Sequence, residues 1–224
     1  LNTRIVTTGP VQTGSNETHI LLANPATQAI EGSKVYVDVM DLELNRSVYN
    51  QQITVDAQPG PNVVPVTWNT ADFLQPFDDT KNYVMLVTWT DYQDTIVDTI
   101  ARPFSNFLED PREDIAITSD NIWDFGSAPQ GTLLKHTFHI ASVGQRMLST
   151  HLEGVPGVQI EQSPITTLAP GDTANYAVTL NTGDLPVGPF ERQIQVRTSD
   201  IDTPVRTITI RGEITAPPAN PSGL

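Results

Sequence analysis

The sequence predicts an all-β protein made of two sandwich domains in tandem, and three observations lead to that prediction. Apolar residues alternate with polar ones in nearly every segment, as in a strand that buries one face. Turn residues separate these segments at intervals of roughly 8–12 residues, which is typical of sandwiches. No segment holds apolar residues at the i, i+3, i+4, i+7 spacing of an amphipathic helix for long enough to predict one.

The first half of the chain shows this alternation clearly. Val35, Val37 and Val39 share one parity, and the same period of two runs through residues 52–56, 63–68 and 83–89. Turn residues divide the segments at Gly9-Pro10, Asn24-Pro25, Gln58-Pro59-Gly60-Pro61 and Asp91-Tyr92-Gln93-Asp94. The pattern predicts about seven strands before residue 104.

The second half repeats the pattern after residue 114. Apolar residues share one parity within residues 134–140, 175–180, 193–197 and 207–211. Turns at Ala169-Pro170-Gly171-Asp172 and Asp202-Thr203-Pro204 help to divide this half into about seven to eight strands. Two sandwiches of about 100 residues match the size of the immunoglobulin architecture. We therefore predict immunoglobulin-like sandwiches over residues 1–104 and 114–215.

A short linker is predicted between the two domains, over residues 105–113. Its second half is charged and contains Pro111, which suits a fairly stiff connector. Phe104, Phe107 and Leu108 are too apolar for a solvated linker, so we expect them to pack at the junction and restrict the angle between the domains. Residues 216–224 are proline-rich and are expected to form an extended spacer.

Residues 114–214 carry a series of small features in a fixed order. They are Ile115, Ile117, Phe125-Gly126, Gly131, Phe138, Ile140, Gly144, Leu148, Leu168, Pro170-Gly171, Tyr176, Val178, Leu180, Gly188, Phe190, Ile194, Val196, Thr198-Ser199-Asp200, Pro204, Ile208, Ile210 and Gly212. In this order they resemble the ASH-type immunoglobulin-like domains, the family of abnormal-spindle and hydin proteins. The chain departs from many relatives at Ala141-Ser142-Val143-Gly144, where they place Asn before the glycine. The resemblance implies a sandwich used for attachment or assembly, without catalytic residues.

Three of these features have roles that follow from their chemistry. Pro170-Gly171 supplies a fixed φ followed by a permissive one, which allows the chain to reverse. Thr198-Ser199-Asp200 offers side-chain oxygens to nearby backbone amides. Gly212 is expected to end the last strand.

Residues 1–104 resemble immunoglobulin and fibronectin-like domains more loosely, through Asp79-Thr80-Lys81-Asn82-Tyr83-Val84-Met85. This segment is similar to the start of strand F in those domains. The resemblance makes Tyr83 the corner tyrosine and puts Met85 where antibody domains place a cysteine.

Composition narrows the possible partners. The net charge of −14 repels phosphate, which argues against nucleic acid and anionic membrane surfaces as partners. The absence of cysteine excludes disulfides and thiolate chemistry and favours a prokaryotic source. The longest apolar run, residues 83–87, is far shorter than the span of about 20 residues that would insert into a membrane.

Loop acids are candidate calcium ligands. Calcium takes 6–8 oxygen ligands from such loops, and the candidates are Asp110, Asp114, Asp120 and Asp124, together with Glu109 and Glu113. The alternative, which we prefer, is that these acids cap turns and solvate loops. His136 and His139 lie on opposite faces of a predicted strand and cannot bind one ion together.

Aromatic residues offer one further candidate site. Trp68 and Trp89 share the parity of core valines, so we expect them to be buried, whereas Tyr92 lies in a predicted turn and is the best candidate for ligand contact. Enzyme signatures such as a Gly-x-Ser-x-Gly elbow are absent from the sequence. The sequence therefore predicts a non-catalytic structural or interaction segment, of scaffold or adhesion type, from a larger secreted or cell-surface bacterial protein. Its expected partners are other protein domains or a cell-surface polymer; the alternative is carbohydrate binding through loop aromatics.

Overall fold

The structure, a computed structural model that describes residues 3–161 and 165–217, confirms the all-β prediction. It consists of two compact units, Leu1–Arg112 and Glu113–Leu224. The helices in the described ranges are two single 3-10 turns, at Thr70–Asp72 and Phe104–Asn106. Within these ranges no helix has the length and apolar character needed to cross a bilayer. Most of the predicted proline-rich tail lies outside the described residues.

The first unit is a sandwich of a three-stranded and a four-stranded sheet. Its strands are β1 (Thr3–Thr7), β2 (Ser15–Asn24), β3 (Ile30–Asp41), β4 (Arg46–Ala57), β5 (Gly60–Asn69), β6 (Tyr83–Thr90) and β7 (Ile96–Pro103). The sheet orders are β1-β2-β5 and β4-β3-β6-β7, and all pairings are antiparallel. The apolar residues that alternate with polar ones in the sequence point inward, because a strand places successive side chains on opposite faces. Val35, Val37 and Val39 are fully buried in the core with Met85 and Trp89.

The second unit is a sandwich of a four-stranded and a five-stranded sheet. Its strands are β8 (Ile115–Ile117), β9 (Ile122–Pro129), β10 (Leu133–Ser142), β11 (Leu148–Leu152), β12 (Val158–Ile160), β13 (Ile165–Leu168), β14 (Thr173–Asn181), β15 (Gly188–Thr198) and β16 (Val205–Thr215). The sheet orders are β12-β14-β10-β8 and β13-β11-β15-β16-β9. Strand β9 pairs with β16 in parallel, whereas the other pairings are antiparallel. The short strands β12 and β13 bring the described strands above the predicted number.

The segment predicted as the start of a linker belongs to the first unit. Phe107 is 2% exposed and lies in the first core, and Phe104 packs against the same core. The Arg102 guanidinium donates to Asn106 O and to both Asp110 carboxylate oxygens, and the Asp110 N–H donates to Thr7 O. Apolar burial and these bonds attach residues 104–110 to the sandwich, while Leu108 is 64% exposed.

Local turn chemistry follows the sequence expectations. The Asp78 N–H, five residues upstream, donates to the Tyr83 hydroxyl at 3.4 Å. Gly171 adopts φ +87°, a conformation that glycine reaches without steric cost. The buried Asp200 carboxylate accepts bonds from the Asp202 and Thr203 N–H groups and from the Thr203 hydroxyl. The predicted turn roles of Pro170-Gly171 and Thr198-Ser199-Asp200 are confirmed, and the corner-tyrosine role of Tyr83 stays a prediction.

The expectation for Gly212 is wrong. Strand β16 continues beyond it to Thr215, and the register with β9 shifts between Arg211 and Glu213. A Cβ atom at Gly212 would lie 2.5 Å from Cε2 of Phe125, whose ring packs directly on the glycine backbone. The glycine is therefore required by a close side-chain approach inside the strand and does not end it.

Candidate binding surfaces of the first sandwich

A groove opens at one end of the first sandwich, where loops from several strands meet. Its volume is about 1180 Å³, and its lining comes from the chain before and at the start of β3, the end of β4, the β6–β7 turn and β7. The lining residues are Gln28, Ala29, Ile30, Glu31, Gly32, Asp56, Asp91, Tyr92 and Val97. We call this feature the loop groove. It includes Tyr92, the ligand candidate from the sequence.

Tyr92 is presented by a turn whose backbone is held by several hydrogen bonds. The Asp91 carboxylate accepts from the N–H groups of Gln93 and Thr95, each at 2.8 Å. The Asp91 N–H donates to Thr95 O at 2.9 Å, and Asp94 takes a positive φ of 63°. The Tyr92 side chain is 65% exposed. A fixed backbone therefore carries an open aromatic ring at the groove.

Asp94 ties the same turn to strand β3. Its carboxylate accepts bonds from Lys34 Nζ at 2.7 Å and from the Tyr36 hydroxyl at 2.9 Å. These bonds lower the pKa of Asp94, with the Lys34 bond as the larger cause, and they raise the pKa of Lys34 and of Tyr36. Lys34 therefore forms an ion pair with Asp94 in the turn.

Several other carboxyl groups are also held ionised by structural hydrogen bonds. In Asp41 burial raises the pKa, but the N–H groups of Leu44 and Glu43 outweigh it and the net pKa is lowered. The Gly126 N–H and then Arg211 lower the pKa of Asp124. The same direction holds for Asp78, through Thr80, and for Glu161, through Lys135 and Thr179. These acids stabilise turns and strand pairs in their charged form.

The aromatic residues are buried or exposed as the sequence predicted. Trp68 and Trp89 are 2% and 0% exposed, and Trp123 is also buried. Trp68 Nε1 donates to the Thr18 hydroxyl at 3.1 Å, which satisfies its polar atom inside the core. The buried tryptophans are unavailable for a sugar-stacking platform, whereas Tyr92 remains open.

The calcium candidates have separate surroundings. Asp110 is paired with Arg102 at 2.7 Å in the first unit, and Asp124 lies 3.1 Å from Arg211 in the second. Asp114 and Asp120 are exposed. In the described part of the chain, no three His, Asp or Glu side chains form a group that could hold a metal ion. Calcium binding at these acids stays the alternative to the turn-capping role that the sequence favours.

The two histidines of β10 have different neighbours, as their strand positions require. His136 stacks on Trp123 with ring centroids 5.1 Å apart and an interplanar angle of 15°. His139 Nδ1 lies 2.6 Å from the side-chain oxygen of Asn175. Burial is the main cause that lowers the pKa of His136. His136 therefore acts as an aromatic packing residue.

The outer face of the four-stranded sheet carries a second candidate surface, which sequence reasoning missed. Met40 is the cross-strand partner of Val84, and Leu86 is the partner of Ala101. Pro103 extends the set as the other partner of Val84. Ala101 and Pro103 are exposed, whereas Met40, Val84 and Leu86 are half-buried, and we call these five residues the outer patch. Asp38, the partner of Leu86 on β3, borders the patch. The alternation of Val84 and Leu86 with core residues was visible in the sequence, but their neighbours depend on strand order.

Comparisons with known proteins give little further information. The chain matches no family model and no curated protein sequence. Among solved structures it is similar to a protein of unknown function from Porphyromonas gingivalis W83, with 12% identity, a TM-score of 0.38 and coverage of 95% of this chain and 100% of that one. It is also similar to the ASH / PapD-like domain 7 of human CEP192, with 12% identity, a TM-score of 0.37 and coverage of 47% of this chain and 86% of that one. Likeness at this level does not bear on ligand or mechanism.

Proposed function

We propose that this chain is a non-catalytic interaction segment of a larger protein, and that the outer patch of the first sandwich contacts another protein domain. The observation that carries this proposal is the run of adjacent apolar side chains on strands β3, β6 and β7. Contiguous exposed apolar surface marks protein interaction sites, whereas scattered apolar residues do not. The patch lies on paired strands, so a partner would meet a rigid surface.

The electrostatics of the acids support a non-catalytic role. A catalytic acid that works near neutral pH needs its pKa raised, which burial or a nearby like charge provides. The pKa values of Asp41, Asp94 and Asp124 shift the other way, because hydrogen bonds and ion pairs stabilise the ionised forms. These carboxylates are better suited to holding turns than to donating protons.

We further propose that the second sandwich is of the ASH type and that the parent protein is bacterial and secreted or exposed at the cell surface. The buried Asp200 turn and the Phe125–Gly212 contact give structural roles to motifs on which the ASH resemblance depends. The acidity and the lack of cysteine support the proposed source and location.

The protein-binding proposal can be tested by site-specific photocrosslinking in the native host. A benzoylphenylalanine introduced at Leu86 of the parent protein should give a discrete crosslinked species with one protein partner. The same group at Thr54, an exposed residue of the same sheet, serves as the matched control and should give none. Adding Met40→Lys should abolish the species, because a charge in the patch must be desolvated on binding. Equal crosslinking from both positions, or none from Leu86, would contradict the proposal.

Carbohydrate binding is a second candidate function, favoured by the loop groove. Loops at the ends of sandwiches are common sites of recognition. In this sandwich the loops carry an exposed tyrosine next to carboxylates and an amide, which are groups that can contact a sugar.

A further inference from the structure

We propose that the loop groove binds an uncharged oligosaccharide, with one sugar ring stacked on Tyr92 and its hydroxyls donating to the lining carboxylates. This inference rests on the carbohydrate-binding candidate and deepens it by naming the ligand class. It is independent of the outer patch.

The platform for the sugar ring is Tyr92. An aromatic ring covers the apolar face of a pyranose, and Tyr loses little conformational entropy on binding because it has two side-chain torsions. The hydrogen bonds within the Asp91–Thr95 turn fix the backbone that carries the ring before any ligand arrives. Gly32 lies beside the base of the ring, since a Cβ atom there would be 3.6 Å from the Tyr92 Cβ.

The carboxylates of the groove offer single acceptor atoms. Asp56 Oδ1 accepts the Gly32 N–H at 2.7 Å, and Asp91 Oδ1 accepts two turn amides. One oxygen of each acid thus remains for a ligand. A sugar hydroxyl needs one acceptor oxygen, whereas an arginine guanidinium is best matched by both oxygens of one carboxylate. The lining therefore favours hydroxyl donors over the arginine side chains of a basic peptide.

The charge of the lining selects against acidic ligands. Glu31, Asp56 and Asp91 contribute acids, and the described lining contains no lysine or arginine. An anionic sugar or phosphate placed there would be repelled without a compensating cation. Among carbohydrates the lining therefore favours uncharged glycans over acidic ones, and a lysine-bearing peptide is the competing ligand that the test must separate from them.

The dimensions of the groove favour more than one sugar unit. Its volume of about 1180 Å³ exceeds the range of roughly 300–1,000 Å³ that small-ligand pockets usually occupy. The open ring of Tyr92 and the apolar residues Ala29, Ile30 and Val97 give the ligand surface to lie along. A short stretch of a polysaccharide fills such a groove better than a monosaccharide does.

The test is a glycan array and a titration with the whole chain. We expect uncharged oligosaccharides to bind, Tyr92→Ala to weaken that binding roughly tenfold, and Tyr92→Phe to retain it, since stacking needs the ring and not the hydroxyl. Leu74→Ala is the matched control, because Leu74 is 76% exposed and lies outside the lining residues. Thermal unfolding of each variant verifies that the first sandwich is intact.

The possible failures are distinguishable. Binding of acidic glycans alone would overturn the charge argument and leave carbohydrate binding standing. Binding of no glycan, or binding unchanged in Tyr92→Ala, would overturn the site itself. A lysine-rich peptide that binds in place of glycans, with loss in Glu31→Gln, would show that the groove is a cation site. None of these outcomes alters the crosslinking expected from Leu86.

Discussion

The contact between Phe125 and Gly212 allows a prediction in which two opposing effects can be separated. Gly212→Ala would place a methyl group 2.5–2.6 Å from three atoms of the Phe125 ring, well inside contact distance. The ring cannot move away without loss, because it packs against Trp123 and Phe190 with centroids 6.3 and 6.0 Å away. Overpacking of this kind typically costs about 1–3 kcal/mol.

An opposing gain comes from the unfolded state. Gly212 does not adopt a positive φ, so alanine can take its backbone conformation, and replacing glycine then stabilises by about 0.4–1 kcal/mol. The steric term is the larger, and we expect a net loss on the order of 1 kcal/mol. For a domain of this size that corresponds to a midpoint lower by about 4–8 °C.

The assay is hydrogen exchange followed by mass spectrometry, which reports each sandwich separately. Amides of β15 and β16 should exchange faster in Gly212→Ala, while those of β3 in the first sandwich serve as the internal control. In a Phe125→Ala background the steric term is absent, so the same substitution should become stabilising. A similar loss in both backgrounds would refute the reasoning, as would no loss in the wild-type background.

Three further predictions concern other parts of the two sandwiches. Burial lowers the pKa of His136 below its ordinary value of 6.5, so the folded state favours the neutral imidazole. The stability that the neutral His136 gives the second sandwich should therefore be fully present above pH 6.5 and should fall as the pH drops through the lowered pKa. Urea unfolding at pH 7.5 and 5 should show a smaller acid loss in His136→Phe, and equal losses would contradict this. Arg102→Ala should detach residues 106–110 from the first sandwich at a cost of about 2–3 kcal/mol, because it removes the bonds to Asn106 and Asp110. The Asp110 amide should then exchange faster with solvent, and an unchanged exchange rate would show that these bonds do not hold the segment. Asp200→Ala should cost the second sandwich about 1–3 kcal/mol in urea unfolding, because it removes the acceptor of two turn amides; a loss below 0.5 kcal/mol, roughly that of a neutral surface change, would argue that water replaces the carboxylate.

Two properties of the first sandwich bear on its proposed roles. The outer patch lies on a sheet face, and the loop groove lies where loops meet at one end of the sandwich. The two surfaces differ in chemistry, since the outer patch is apolar and the loop groove combines three acids with apolar residues and one exposed ring. A protein partner and a glycan could therefore be recognised by one domain, and the two experiments test these roles separately.

The sequence by itself determined the strands, the inward parity of their core residues and the turns that separate them. These properties are local: alternation sets which face of Val35 or Trp89 is buried, and Pro170-Gly171 and Asp200 act on backbone within a few residues. The short strands β12 and β13 carry too few residues for alternation to identify them.

Only the tertiary structure decided the features that join distant parts of the chain. The parallel pairing of β9 with β16 places Phe125 on Gly212, and the reach of Arg102 to Asp110 turns a predicted linker into part of a domain. The loop groove likewise brings Asp56 and Tyr92 together from separate loops. Side-chain alternation specifies which face a residue takes but not which strand lies beside it, and these contacts depend on strand order.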